Sequence, residues 1–320
     1  MTTEGVEFLI DFAGTVLRVG ARECLPDFAR FLRNFPAADN EPGATIRLCP
    51  GKQNACMAEF RRRELTFVYG QDGAAAALSE LDMEIGLLQA VARFVAGLHC
   101  LDGGAGANMV LLHGTVVALP SGEGVALLDD GACRGKTTLA VALARCGAAL
   151  VADEFSFVDT ERLVALGGGH WPVHVRADMA NILLPDLGIA TELHLPPADL
   201  GLKSVGFAKL RAILFPRPGT AQSLSALPPA RARDSLLSAS TDHLRKFCDP
   251  SRDRVSVMHG TKPRLDVQEG QLLTGSRFAA NRIARAIPCF EAIVADPLAT
   301  AQSLLNLLEG SNTGAPPTAM

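Results

Sequence analysis

Residues 127–147, LLDDGACRGKTTLAVALARCG, constrain the fold of this 320-residue chain more than any other stretch. An apolar run leads into a turn of small residues, and a second apolar run with helical spacing follows. A phosphate-binding loop needs these parts in this order: a buried strand, a turn with inward N–H groups, a Lys for the phosphates, a Ser or Thr for Mg²⁺, and a helix. The segment therefore predicts a strand, a phosphate loop and a helix in an α/β layer.

The start of the predicted loop departs from the usual letters. Asp130 occupies the position of the first glycine, and Cys133 and Arg134 stand where small residues are usual. Asp tolerates a left-handed backbone better than most residues other than glycine, so the turn can still form. We predict a nucleotide site here, with a tight turn that binds no ligand as the alternative. The predicted nucleotide-binding residues are Asp130, Gly131, Ala132, Cys133, Arg134, Gly135, Lys136, Thr137 and Thr138.

Two acidic residues follow the predicted helix. Asp153 and Glu154 end the run LVADE, one helix and one return strand after Lys136. This spacing places the carboxyl end of the strand beside the loop. Phosphoryl transfer needs acids to hold the metal and to accept the proton of the attacking hydroxyl, and the pair offers both. The alternative is an acidic loop start or helix cap without a chemical role.

His113 directly follows the run MVLL, one strand before the loop. From there its imidazole could hydrogen-bond Asp153 and tune the proton affinity of that carboxylate. A structural histidine is the alternative interpretation.

The pattern of the whole chain predicts two domains. Residues 1–106 carry a hairpin, further strands and helices, and are expected to form a smaller α+β domain; peptide or partner docking is its hypothesised role. Residues 107–310 repeat short apolar strands followed by helices, as expected for the α/β catalytic domain. Residues 183–206 and 216–233 are predicted to be long loops, and residues 311–320 a flexible tail.

Composition excludes several classes of partner. The net charge of −4 provides no electrostatic footprint for nucleic acid. No apolar run reaches the length of about 18 residues that a membrane span needs, and no secretory signal is recognisable, so neither membrane insertion nor export is expected. The eight scattered cysteines suit reduced thiols, which favours a cytoplasmic location.

Residues 111–154 resemble the catalytic core of HPr kinase/phosphorylase and its kinase-like relatives. In that family a His-Gly strand, a phosphate loop, a helix and a Val-Ala-Asp-acid strand follow in this order. The Asp-Glu form is similar to divergent relatives that include kinases of lasso-peptide precursors. The resemblance implies a P-loop, HPr-kinase-like α/β fold that binds ATP and Mg²⁺.

The resemblance also implies roles for single residues. Asp153 would deprotonate the target serine with help from His113, and Thr137 would bind Mg²⁺. The Glu-x-Arg-Gly signature of the family has no clean copy; its nearest counterpart is HVRA at residues 174–177. Arg176 would then neutralise the transferring phosphate, unless it is an exposed residue or part of a structural ion pair. Because the acid of that signature is missing, Glu154 would act as a metal ligand beside Asp153.

Three functions remain open at this point. The first is an ATP- and Mg²⁺-dependent kinase that phosphorylates a serine of a peptide or small protein, in the manner of a peptide-modification enzyme, with Lys136 and the loop holding the phosphates. The second is a kinase of a small metabolite, enclosed by the two predicted loops. The third is a non-catalytic nucleotide-binding scaffold of a biosynthetic complex. The sequence does not decide between a monomer and a homo-oligomer.

Overall fold

The computed structural model describes residues 6–12, 15–21, 38–50, 57–61, 63–69, 80–101, 108–129, 135–167, 172–190, 193–248 and 269–310. Strands and helices both contribute strongly, so the chain is a mixed α/β protein, as the sequence predicts. It divides into two compact units, Met1–Ala107 with Asp242–Thr274, and Asn108–Thr241 with Gly275–Met320. The predicted loop positions 130–134 and the predicted tail lie outside the described residues.

The first unit contains a five-stranded sheet in the order β1-β2-β3-β5-β4. The predicted hairpin is confirmed, because β1 and β2 pair in antiparallel fashion. Alternate apolar residues such as Ile10, Leu17 and Ile46 are fully buried. The helix α1 is joined to β2 by a contact of 3.1 Å between His99 Nε2 and Thr15 Oγ1. The elements are β1 (Val6–Phe12), β2 (Thr15–Ala21), β3 (Ala44–Pro50), β4 (Met57–Arg61), β5 (Glu64–Tyr69) and α1 (Glu80–Leu101).

The second unit is built on an eight-stranded sheet, in the order β10-β9-β6-β7-β13-β15-β14, with β8 paired to β6. A separate two-stranded sheet joins β11 and β12. The elements in chain order are β6 (Met109–Ala118), β7 (Glu123–Leu128), α2 (Lys136–Arg145), β8 (Ala149–Ala152), β9 (Phe155–Asp159), β10 (Val164–Leu166), β11 (Val173–Val175), α3 (Ala177–Leu183), β12 (Leu193–Leu195), β13 (Phe207–Pro218), β14 (Ser223–Ala226), α4 (Pro229–Cys248), α5 (Glu269–Ala286), β15 (Cys289–Val294) and α6 (Pro297–Gly310).

Helices cover both faces of this sheet. Successive residues of a strand point to opposite faces, and the strands are apolar on both. Val117 and Leu127 pack in one core with α2, α3 and α6. Val116 and Leu128 pack in the other core with α4 and α5. The central strands are therefore largely sealed from water, and polar side chains within the sheet, such as Thr115 and Ser156, are buried with them.

The strands β8 and β9 pair with the same edge of β6, one after the other. Ala152 of β8 lies opposite Val116, and Phe155 of β9 lies opposite His113. The chain from β8 to β9 is thus one antiparallel run against β6, with a register shift opposite Val116 and Val117 and a break at Asp153 and Glu154. The break, and the resumption of pairing in β9 after it, are what the structure adds.

The prediction of a long loop at residues 216–233 is wrong. This stretch contains the end of β13, all of β14 and the start of α4. Leu224 anchors β14 in the core. Pro229 is the first residue of α4, where a missing N–H group costs nothing because no partner exists for it there. Proline and small residues therefore mark element boundaries here rather than a loop.

Among the helices of the described ranges, none is both long enough and apolar enough to cross a bilayer.

Candidate functional site

The amino end of α2 and the acidic pair lie at one edge of the large sheet. Both β7 and β8 are antiparallel to β6, so they run in the same direction on either side of it. Their carboxyl ends therefore lie at the same edge. Lys136 follows β7 and begins α2, and Asp153 follows β8 directly. This topology explains how two segments separated by a helix can serve one site.

Gly135 caps the amino end of α2, and its φ of 83° lies in the left-handed region. A β-carbon at Gly135 would meet no atom within 4 Å, so the glycine is needed for its backbone conformation and not for space. At the other end α2 stops at Arg145 and Gly147 has φ 111°, which confirms the predicted helix stop. The first N–H groups of α2 have no partner within the helix and can bind an anion.

Lys136 is held by an acidic residue that precedes the loop. Its Nζ lies 3.1 Å from Oδ2 of Asp129, the residue that follows β7. The side chains are 10% and 1% exposed, so the ion pair is nearly removed from water. Lys136 is therefore fixed at the amino end of α2.

Asp153 is buried and accepts hydrogen bonds from three segments. The hydroxyl of Thr115 on β6 donates to Oδ1 at 2.5 Å. The hydroxyl of Thr137 on α2 donates to the same oxygen at 3.1 Å. The backbone N–H of His174 on β11 donates to Oδ2 at 3.1 Å. Both carboxylate oxygens are thus held in place, and Thr137 connects the acid directly to the helix that carries Lys136.

The environment of Asp153 shifts its proton affinity upward. Burial raises the pKa of the carboxyl above its ordinary value of 3.8, and the nearby charge of Glu154 raises it further. The hydrogen bonds from Thr115, His174 and Thr137 oppose this shift because they stabilise the ionised form. A carboxylate with a raised pKa is a better proton acceptor than an ordinary surface Asp.

Glu154 occupies a strained position beside the buried acid. Its φ of 61° is unusual for a residue with a side chain. Its backbone oxygen accepts the N–H of Gly114 on β6 at 3.3 Å, which keeps the pairing with β6 across the break. Its Oε1 lies 3.6 Å from Nδ1 of His174, whose ring stacks on that of His194 with centroids 4.5 Å apart and planes 2° apart. Strain of this kind is maintained only where surrounding contacts enforce it.

No protein-family model matches this chain, and a search of curated proteins gives no match either. The chemistry of the site is therefore inferred from its geometry.

The oxygens of Thr137 and Asp153 suit a magnesium ion. The Thr137 hydroxyl lies 3.1 and 3.4 Å from the two carboxylate oxygens, so one hard cation could contact both side chains. Mg²⁺ is usually bound by one or two carboxylates together with waters and phosphate oxygens. Within the described ranges no group of three or more His, Cys, Asp or Glu side chains is arranged to hold a metal. A metal bound here would take further ligands from water or from a bound phosphate.

The remaining predicted residues occupy different environments. His113 is half-buried and lies two residues before Thr115 on β6, so the two side chains share the face that α2 covers. Thr138 follows Thr137 in the first turn of α2 and is partly exposed. Arg176 is exposed, and its Nε and a terminal nitrogen each donate to Asp178 at 3.2 Å. In this structure Arg176 forms a local ion pair.

Three contributors were not predicted from the sequence. Thr115 and the backbone of His174 hold Asp153, and Asp129 holds Lys136. Asp129 could have been noticed in the sequence because it directly follows an apolar strand, and acidic side chains are rarely buried. Thr115 is a weaker indication, since it is one hydroxyl residue in a largely apolar strand. Nothing in the local sequence indicates that the N–H of His174 faces Asp153.

Proposed function

We propose that the chain is an HPr-kinase-like kinase, dependent on ATP and Mg²⁺, that transfers phosphate to a hydroxyl, and that its acceptor is a serine of a peptide or small protein. One observation carries the proposal: a buried carboxylate, Asp153, is hydrogen-bonded to Thr137 on the helix whose first residue is a buried lysine. A proton acceptor, a metal-binding hydroxyl and a phosphate-binding cation thus lie at the amino end of one helix.

The phosphate groups would be bound by the amino end of α2. Its first N–H groups have no partner within the helix, Lys136 is its first residue, and the helix dipole favours negative charge there. Thr137 and Asp153 would hold Mg²⁺, with Glu154 close enough in sequence to contribute a further carboxylate. The nucleotide supplies the transferable phosphoryl group, and the metal neutralises its charge.

Asp153 would accept the proton of the attacking hydroxyl. Its position is fixed by three hydrogen bonds, which reduces the reorganisation needed before the reaction. His113 shares a strand face with Thr115, which supports a role in tuning this acid. Arg176 follows the strand that contributes the His174 N–H, and release from Asp178 would free its guanidinium to stabilise the transferring phosphate.

The test is transfer of the labelled γ-phosphate of ATP, with and without Mg²⁺, to serine peptides, small proteins and hydroxylated metabolites. We expect Lys136→Ala to abolish nucleotide binding or transfer, whereas Lys209→Ala, at an exposed site on β13, should have no effect. Asp153→Asn should keep nucleotide binding and lose transfer, and Asp186→Asn, at another exposed site, should retain both.

Each outcome separates the candidate functions. Absence of nucleotide binding would favour a structural turn, and binding without transfer would favour a scaffold. Labelling of metabolites but of no peptide would favour the metabolite kinase. Transfer by Asp153→Asn at the normal rate would show that Asp153 is not the base.

A further inference from the structure

The ion pair between Asp129 and Lys136 has an unusual location. Lysine is rarely buried, and Lys136 is the first residue of a helix. The partial positive charge at a helix amino end disfavours a cation there. The first turn of α2 contains no acidic residue that could offset this. The ammonium therefore needs an anion from outside the helix, and Asp129 provides it at 3.1 Å.

A phosphate group bound at the loop would meet the same need. Asp129 and a phosphate are both anions that a single ammonium can pair with, and both would lie near the amino end of α2. Two anions close together in a poorly hydrated site repel each other. Binding of phosphate must therefore weaken the bond between Lys136 and Asp129, or bring a second negative charge beside the first.

We propose that Asp129 is a positioning residue that acts through Lys136: it holds the ammonium when no nucleotide is bound, and it lowers nucleotide affinity by competing with phosphate for that ammonium. The inference depends on the proposed function in one respect, namely that phosphate binds at this loop. It assigns a role to a residue outside the loop motif. It also predicts that removal of the buried Asp129 charge strengthens nucleotide binding, whereas loss of a purely structural residue would weaken nucleotide binding.

The decisive variant is Asp129→Asn, which keeps the shape of the side chain and removes its charge. In the free protein Lys136 then loses its carboxylate partner, while in the bound protein the phosphate still pairs with it. The free state is destabilised more than the bound state, so the dissociation constant for ATP should fall by about tenfold, which corresponds to about 1.4 kcal/mol. If the amide does not support folding, Asp129→Ser carries no charge either and has the same expected direction.

The experiment is isothermal titration calorimetry of the full-length chain with ATP and with AMP, with Mg²⁺ held constant. AMP lacks the β- and γ-phosphates, so its affinity should not change in Asp129→Asn. A matched control is Glu291→Gln, which removes the carboxylate that Arg217 and Arg231 contact at 2.5 and 3.0 Å. This control loses ion pairs that link β15 to β13 and to α4, and it should bind ATP like the wild type. Asp129→Glu keeps the charge and should remain close to wild-type affinity.

The outcomes distinguish this inference from the proposed function. Tighter ATP binding in Asp129→Asn, with AMP unchanged, supports the competition. Unchanged or weaker ATP binding in a folded Asp129→Asn overturns it while leaving the kinase proposal intact. A wild-type protein that binds neither ATP nor AMP would instead overturn the proposed function itself.

Discussion

Replacement of Thr115 by valine isolates the support that β6 gives to the proposed base. The Thr115 hydroxyl donates to Asp153 Oδ1 at 2.5 Å, and the side chain is completely buried. Valine has nearly the same shape, so the change removes the hydrogen bond without opening a large cavity. A hydrogen bond to a charged group contributes about 1.5–3 kcal/mol.

The loss should appear mainly in the reaction step. Thr115 lowers the pKa of Asp153 against the effect of burial, so Thr115→Val should raise that pKa further and shift the acid limb of the pH–rate profile to higher pH. Since about 1.4 kcal/mol corresponds to a factor of ten, phosphate transfer should slow by about 10- to 100-fold on that limb. The rate should approach that of the wild type at pH values above the limb, where the carboxyl is ionised in both proteins. Nucleotide affinity should stay close to that of the wild type, because Lys136 and α2 are not altered.

The measurement is the rate of phosphate transfer between pH 5 and 9 at saturating ATP and Mg²⁺. Thr115→Ser restores a hydroxyl and should recover most of the rate. A matched control is Ser156→Ala, which removes another fully buried hydroxyl against β6, one that donates to the backbone oxygen of Gly114 at 2.8 Å and not to a carboxylate. An unchanged rate and pH profile in Thr115→Val would refute the idea that this bond sustains Asp153 as a base.

Two further predictions concern stability. The pKa of Asp153 is raised in the folded state, so the folded chain holds a proton that the unfolded chain has released, and stability falls as pH rises from about 4 through the raised pKa. Asp153→Asn should therefore raise the melting temperature at pH 8 by more than at pH 5; equal differences at both pH values would contradict this. Gly135→Ala and Gly122→Ala both place a side chain at positive φ, 83° and 87°, and each should cost about 1–2 kcal/mol in denaturant unfolding. Only Gly135→Ala should also weaken ATP binding, and an equal effect of both on binding would argue against a phosphate site at α2.

The strand β7, the helix α2 and the position of the acidic pair were predictable because each depends on local sequence. The apolar run of β7, the glycine at the start of α2 and the glycine after its end are each recognisable within a few residues. The location of Asp153 follows from chain length alone, since one helix and one strand return the chain to the same sheet edge. The structure confirms the helix stop at Gly147 and brings Asp153 next to Thr137.

The contacts that complete the site were not predictable because they depend on strand pairing. Thr115 faces Asp153 only because Ala152 at the end of β8 and Phe155 at the start of β9 pair with β6 in the same register, which places residues 115 and 153 opposite each other at the break. The register of non-adjacent strands is decided by packing of the whole sheet and leaves no local pattern. The same holds for the His174 N–H, which reaches Asp153 from a separate two-stranded sheet.

The break between β8 and β9 also resolves how two consecutive acids can belong to one site. In a regular strand Asp153 and Glu154 would point to opposite faces of the sheet, one towards α2 and the other towards α4 and α5. The left-handed backbone at Glu154 interrupts this alternation. The site thereby brings the carboxylates of Asp153 and Glu154 to the sheet edge at which Asp129 pairs with Lys136. A triphosphate would add more negative charge to this set, so its binding needs a divalent cation to offset the repulsion, and the oxygens of Thr137 and Asp153 lie where such a cation can connect the phosphates to the protein.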